Sequence, residues 1–161
     1  MSGSQERASR VVLITGGGRG IGAACALQAA QQGYAVAISY RDNKATAGGI
    51  VRSIEKTGGR AIAVRADVAS EKDILAMFET VDRELGTLDA LVNNAGIVAP
   101  ARRVDQFDLA RLEKMFTTNV IGSFLCAREA VRRMSTRHGG KGGSIVNLSS
   151  GASRLGAPGQ Y

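Results

Sequence analysis

The sequence predicts an α/β protein built on a doubly wound parallel sheet, with helices packed on both faces in three layers. Three observations lead there. Short apolar runs alternate with longer amphipathic ones from Val11 onward, there are five such runs, and a glycine-rich segment separates the first run from the first helical stretch. Strands that alternate with helices are joined by right-handed crossovers, which place the strands in parallel and the helices above and below them.

Each element has its own signal. VVLIT (Val11 to Thr15) reads as a buried strand, and the alanine-rich stretch Gly20 to Gln32 as a helix ending near Gly33. AVAISY is the second strand. Asn43 to Lys56 forms the next helix, stopped by Gly58 and Gly59, and Ala61 to Asp67 the third strand. Ser70 is placed to cap a helix running to about Leu85, with Asp73 as the acidic member of a capping box. Leu88 to Asn94 is the fourth strand, followed by a loop broken by Gly96 and Pro100. A long helix is expected over Asp108 to Arg137, with Met115, Phe116, Val120, Phe124, Leu125, Val131 and Met134 marking a wide buried face. After HGGKGG, SIVNLS is the fifth strand.

The 161 residues have the length of one domain. Residues 1–10 read as a polar, disordered tail, and 11–161 as a portion of a single domain. Lys and Arg exceed Asp and Glu by 21 to 14, a formal charge of +7, which invites an anionic partner. Tryptophan is absent and aromatic residues make up only 4%, so little is available to stack on bases. Nucleic acid is therefore set aside and a phosphorylated cofactor kept. Cys25 and Cys126 stand far apart in helical stretches, so neither a disulfide framework nor a metal site is expected, and a reduced, cytoplasmic setting fits. No apolar run approaches the roughly 18 residues of a membrane span, and the first ten residues lack a signal-peptide core.

In TGGGRGIG (Thr15 to Gly22) the glycines lie between a strand and a helix, the setting in which a glycine motif cradles a pyrophosphate. Gly16 permits the sharp turn, Gly20 lets backbone N–H groups approach phosphate, and Gly22 allows the helix to pack closely on the sheet. The helix N-terminus then faces the phosphates. A glycine-rich turn without a ligand is the alternative.

The spacing Gly-x-x-x-Gly-x-Gly resembles the cofactor loop of the short-chain dehydrogenase/reductase family. NNAG (Asn93 to Gly96), Asp67-Val68, Asn119 in the long helix and the serine pair ending the fifth strand match the same family in order and position. The resemblance covers Val11 to the end of the chain. It implies a Rossmann-like fold, a nicotinamide cofactor, and hydride transfer between that cofactor and a small-molecule carbonyl or secondary alcohol. It implies cofactor contacts from Thr15, Gly16, Gly18, Arg19, Gly20, Ile21 and Gly22, with Asp67 and Val68 against the adenine. Asn94, Ala95 and Gly96 contact the adenosine side and support the sheet. It also implies a homo-oligomer, dimer or tetramer, paired through the long helix.

For the choice of cofactor, an acid at the end of the second strand would bind the ribose hydroxyls of NAD. That slot holds Tyr40, with Arg41 next. Arginine attracts a 2′-phosphate, and Arg19 is expected on the same side, so NADP (NADPH) is favoured. NAD stays open if Asp42 turns inward.

Carbonyl reduction needs a proton donor and hydrogen bonds to the oxygen that becomes charged. The resemblance assigns a serine to the carbonyl, a Tyr-x-x-x-Lys pair to proton delivery, and an asparagine to a water relay. Asn119 matches that asparagine. An amide amid Phe116, Val120 and Ile121 would be costly unless satisfied, which favours a placed role. Ser150 fits the serine, since Gly156, Gly159 and Gln160 follow in the family's frame; Ser149 then faces away. Tyr161 follows Gln160 directly, closer than the family's tyrosine, and no lysine of that motif follows it in this sequence. Tyr161 as the catalytic tyrosine, a longer enzyme, and a truncated, inactive nucleotide-binding or interaction protein are the readings left open. Arg128, Arg132, Arg133, Arg137 and His138 are expected to complement the C-terminus of the long helix.

Overall fold

Val11–Ile14 (β1), Ala35–Tyr40 (β2), Ala61–Arg65 (β3), Leu88–Asn93 (β4) and Ser144–Asn147 (β5) form one parallel sheet in the order β3-β2-β1-β4-β5. The structure is a computed structural model, and it describes residues 10–156. The expected tail lies almost wholly outside the described residues, as does Tyr161. Every residue of β1 is buried because helices cover both faces. Val11 and Leu13 pack with Ile74, Phe78 and Ala130 on one face; Val12 and Ile14 pack with Ala26, Ala47 and Ile54 on the other. This is the doubly wound, three-layer Rossmann-like fold that the alternation predicts.

Strand order reverses between β1 and β4. β2 and β3 are added on one side of β1, and β4 and β5 on the other, so the loops leaving β1 and β4 diverge and open a crevice at their carboxyl ends. Ligands of open α/β sheets bind at that switch point.

The helices are α1 (Gly20–Gln31), α2 (Lys44–Glu55), α3 (Glu71–Glu84), α4 (Leu109–Phe116), α5 (Gly122–Met134) and a short α6 (Ala152–Leu155). Asn43 caps α2 by accepting the Thr46 N–H at 3.0 Å. Ser70 caps α3 by accepting the Asp73 N–H at 3.2 Å. The box differs from the expected form: the Asp73 carboxylate accepts the Ser70 hydroxyl at 3.1 Å and the Asp67 N–H at 3.0 Å, reaching past the Ser70 N–H. The Asp67 bond, then the Ser70 one, hold the Asp73 carboxyl below its ordinary pKa.

The long helix carries two corrections. It is interrupted by a π-helical turn at Thr117–Ile121, through which the backbone stays helical, and it ends at Met134. Its expected buried face is also largely exposed. Met134 is buried and Met115 and Leu125 half-buried, but Phe116 is 58%, Val120 41%, Phe124 73% and Val131 44% exposed. The stripe that meets the sheet is instead Cys126, Ala130 and Met134, small enough to let α5 lie close to β4.

A third correction concerns the arginines near the end of α5. Glu129, only 3% exposed, accepts from Arg128 at 3.0 Å, Arg132 at 2.8 Å and Arg133 at 3.0 Å. Arg128 also reaches Glu71 and Arg133 reaches Asp82, each at 2.7 Å, so the cluster ties α5 to α3. Burial alone would raise the Glu129 carboxyl; hydrogen bonds from Arg133 and Arg128 overcome it and hold the group below its ordinary pKa. Three of the five cations thus answer a buried carboxylate rather than the helix terminus. Among the described residues, no helix is long and apolar enough to cross a membrane.

Candidate functional site

The crevice at the switch point is a cavity of about 620 Å³, floored by the loops after β1 and β4. Thr15, buried at the end of β1, builds the floor. Its hydroxyl oxygen accepts the N–H groups of Asn94 and Ala95, each at 3.0 Å, and its own N–H bonds the Val92 carbonyl at 3.0 Å. The Asn94 side-chain amide donates back to the carbonyls of Thr15 at 2.8 Å and Gly16 at 3.0 Å. The glycine loop is thereby locked to the end of β4 through side-chain to main-chain bonds.

The glycines do separate jobs. Gly16 has φ +66°, in the left-handed region where a side chain is strained, and its N–H is held by the Ser39 hydroxyl at 3.1 Å. A Cβ on Gly22 would lie 2.4 Å from Asn94 Nδ2 and 2.7 Å from the Gly16 carbonyl, which leaves no room for one. At Gly20, by contrast, a Cβ would meet nothing within 4 Å, so this stretch of backbone borders open space. No side chain caps α1, whose first turn therefore presents its N–H groups at the loop.

Of the residues singled out in the sequence, Gly16, Gly18, Arg19, Gly20, Ile21, Tyr40, Arg41, Asp67, Val68, Asn94, Ala95 and Gly96 line this cavity; Thr15 and Gly22 lie buried beneath it. Sequence reasoning missed Ser39, Asn43, Thr46 and Thr118, which also line it. Ser39 carried a legible signal, a small hydroxyl residue near the end of an otherwise apolar strand. Thr118 did not, because it is turned inward by the π-helical turn.

At the end of β2, Arg41 Nε bonds Asp42 Oδ2 at 2.7 Å, with both side chains substantially exposed. Arg41 and Arg19 border the same cavity. Asp42 thus faces Arg41 rather than replacing it.

Asn119 lies in the π-helical turn and pairs with the main chain of Ile97 in both directions: Oδ1 accepts the Ile97 N–H at 2.8 Å and Nδ2 donates to the Ile97 carbonyl at 2.9 Å. The surroundings expected of it need correcting. Phe116, Val120 and Ile121 are exposed, and the amide is satisfied by the loop after β4, not stranded among buried apolar groups. The Asn119 carbonyl accepts the Ser123 hydroxyl at 3.2 Å.

Ser150 is exposed, and its Oγ accepts the Ala152 N–H at 3.2 Å, shaping the turn into α6. Below it, Asn93 is buried and donates to Asn147 Oδ1 at 2.9 Å and to the Ser123 carbonyl at 3.1 Å, fixing β5 and α5 against β4. That link was also missed from sequence. Among the described residues, no group of three or more His, Cys, Asp or Glu side chains is gathered to hold a metal ion.

The model of the family described as short chain dehydrogenase matches residues 10–161. YgfF, an uncharacterized oxidoreductase of Escherichia coli strain K12, is 48% identical over 151 residues, covering 94% of this chain and 61% of that protein. The 3-oxoacyl-[acyl-carrier-protein] reductase FabG of Staphylococcus aureus is 36% identical over 152 residues, covering 94% and 60%. A short-chain dehydrogenase/reductase from Serratia marcescens BCRC 10948 superposes with a TM-score of 0.84 at 31% identity, covering 92% of this chain and 58% of that one. The chain thus spans about three fifths of the length of these relatives.

Proposed function

The chain belongs to the short chain dehydrogenase family, and from that premise we propose an NADPH-preferring oxidoreductase that transfers hydride between the cofactor and a small-molecule carbonyl or secondary alcohol. The observation that carries the reading is the cavity at the switch point: a glycine loop locked by Asn94, an uncapped helix N-terminus beside it, and Arg19 and Arg41 on its border. The residues fit a dinucleotide. Backbone at Gly20 borders open space, α1 offers N–H groups for a pyrophosphate, and Arg41 offers charge for a 2′-phosphate.

When bound, NADPH supplies the hydride. The rest falls to the chain. Thr15, Gly16 and Asn94 hold the loop in shape, Gly18 to Gly22 bring main chain to the phosphates, and Tyr40, Asp67 and Val68 border the adenosine side with Ala95 and Gly96. Ser150 accepts a hydrogen bond in its own turn and keeps its hydroxyl proton to donate to a substrate carbonyl oxygen. Asn119 fixes the loop after β4 through Ile97, and its turn carries Thr118 into the cavity. Tyr161, the remaining candidate from sequence, lies outside the described residues. The relative named as a 3-oxoacyl reductase acts on a carbonyl, which supports reduction of a C=O group.

A homo-oligomer is supported by the exposed apolar stripe of Phe116, Val120, Phe124 and Val131, for which a second copy of the same helix is a matching surface. A cytoplasmic setting is supported by Cys25 and Cys126, free thiols on separate helices.

The test is a panel of carbonyl compounds with NADPH and NADH, followed by cofactor absorbance. Turnover with preference for NADPH is the expected result. Cofactor binding without turnover would favour a nucleotide-binding protein without catalysis, and absence of both would overturn the reading.

A further inference from the structure

The adenosine end of the cofactor cavity opens sideways into a second cavity of about 610 Å³, which shares Arg41, Asp42 and Asp67 with it and has Lys114 on its wall. Three cations from three elements converge there: Arg41 after β2, Arg65 at the end of β3, and Lys114 from α4. The carboxylates in the same space are already engaged. Asp42 holds Arg41 at 2.7 Å, Asp67 accepts the Ala69 N–H at 2.9 Å, and Asp73 accepts from Asp67 and Ser70. Arg65 Nε bonds the Arg41 carbonyl at 3.3 Å, which braces the backbone that carries Arg41. Lys114 makes no ion pair and no side-chain hydrogen bond among the described residues.

Lys114 is exposed, and the usual pairings of a helical lysine are absent among the described residues. A cation in the last turn of a helix complements the free carbonyls there, but α4 continues through the π-helical turn into α5, and the Thr117 N–H bonds the carbonyls of Glu113 and Lys114. Positions three and four residues away are Ala110, Arg111, Thr117 and Thr118, so no acid stands at helical pairing distance and the one charged residue that does, Arg111, is of like sign.

We propose that Lys114 is a specificity-determining residue for the 2′-phosphate of NADPH, taking that phosphate monoester jointly with Arg41 from the α4 side of the cavity. A 2′-phosphate is a dianion with three acceptor oxygens, and two cations on different walls neutralise it better than one. The inference rests on the NADPH reading above and adds a residue from an element outside the glycine loop and the β2 terminus.

Calorimetry with 2′,5′-ADP and 5′-AMP on the full chain tests it, because both probes carry the adenosine half and only the first carries the 2′-phosphate. The wild type should prefer 2′,5′-ADP. Lys114→Ala should reduce that preference about fivefold and Lys114→Glu further, Lys114→Arg should keep it, and 5′-AMP affinity should be unchanged throughout. If Lys114→Ala keeps the preference while Arg41→Ala removes it, Lys114 has no such role and the NADPH reading stands. Equal weakening of both probes by Lys114→Ala would also overturn the proposal, since it would indicate adenosine binding or folding. A wild type that binds both probes alike overturns the NADPH reading together with this one, and a wild type that binds neither overturns nucleotide binding.

Discussion

Asn94 and Thr15 are bonded to each other in both directions: Asn94 Nδ2 donates to the Thr15 carbonyl at 2.8 Å, and the Thr15 hydroxyl accepts the Asn94 N–H at 3.0 Å. The pair closes the switch point of the sheet and sets the shape of the glycine loop. Asn94→Asp keeps the size of the side chain but replaces two donated bonds with a carboxylate facing two carbonyl oxygens. Stability should fall by about 2–3 kcal/mol, read as a lower urea midpoint at unchanged m-value. Nucleotide affinity should fall with it.

Glu129 predicts a pH dependence. Its folded pKa is depressed, so its contribution is fully present above the unfolded value of about 4.3 and is lost as pH falls through the folded value. Glu129→Gln should cost about 2–4 kcal/mol at neutral pH, because Arg132 loses its carboxylate partner and Arg128 and Arg133 are left with Glu71 and Asp82 as their carboxylate partners. The gap between variant and wild type should narrow in acid. A constant gap across a pH series of urea midpoints would exclude the electrostatic explanation.

The Arg41–Asp42 ion pair competes with any phosphate that Arg41 is to hold. Asp42→Asn removes that competition and a like charge. Affinity for 2′,5′-ADP should rise about fivefold while 5′-AMP is little affected, as measured by titration calorimetry.

Phe124, 73% exposed at the centre of the apolar stripe, tests the assembly. Phe124→Asp should shift the species seen by analytical ultracentrifugation to a smaller one. An unchanged sedimentation coefficient would place the subunit contact elsewhere.

The two thiols should differ in reactivity. Cys126 is fully buried, and burial, helped by Glu129, pushes its pKa up to about 12. Cys25 is half-buried. A thiol reagent should modify Cys25 alone in the native protein and both cysteines after denaturation.

The sheet and the glycine loop were legible in the sequence because their signals are local: continuous apolar runs, and glycines clustered at the junction of β1 and α1, where φ and close packing demand them. The long helix was legible only as a helix. Its apolar spacing is satisfied by two stripes, Cys126, Ala130 and Met134 against β4 and Val120, Phe124 and Val131 facing outward, and periodicity does not say which one the sheet covers. The π-helical turn is likewise invisible to a period of 3.6 residues. Arg128, Arg132 and Arg133 were misassigned although Glu129 adjoins the first and stands at helical spacing from the other two, because its burial is set by tertiary packing; the further partners Glu71 and Asp82 lie in a different helix, out of reach of local spacing. Asn119 falls within the helical stretch expected of it, but Ile97, which engages its amide, is defined only by tertiary structure.

The lock between the glycine loop and β4 bears on how fast the site can fill. Its floor is held by bonds within the chain, from Thr15, Ser39 and Asn94, none of which a nucleotide has to form or break. Little conformational entropy is left to lose when a ligand arrives. Exposed side chains at the rim, Arg41 paired with Asp42 among them, reorient within picoseconds to nanoseconds, so diffusional encounter sets the rate of entry: association should slow in proportion to solvent viscosity, and Asp42→Asn should speed it most at low ionic strength by removing a charge that repels phosphate.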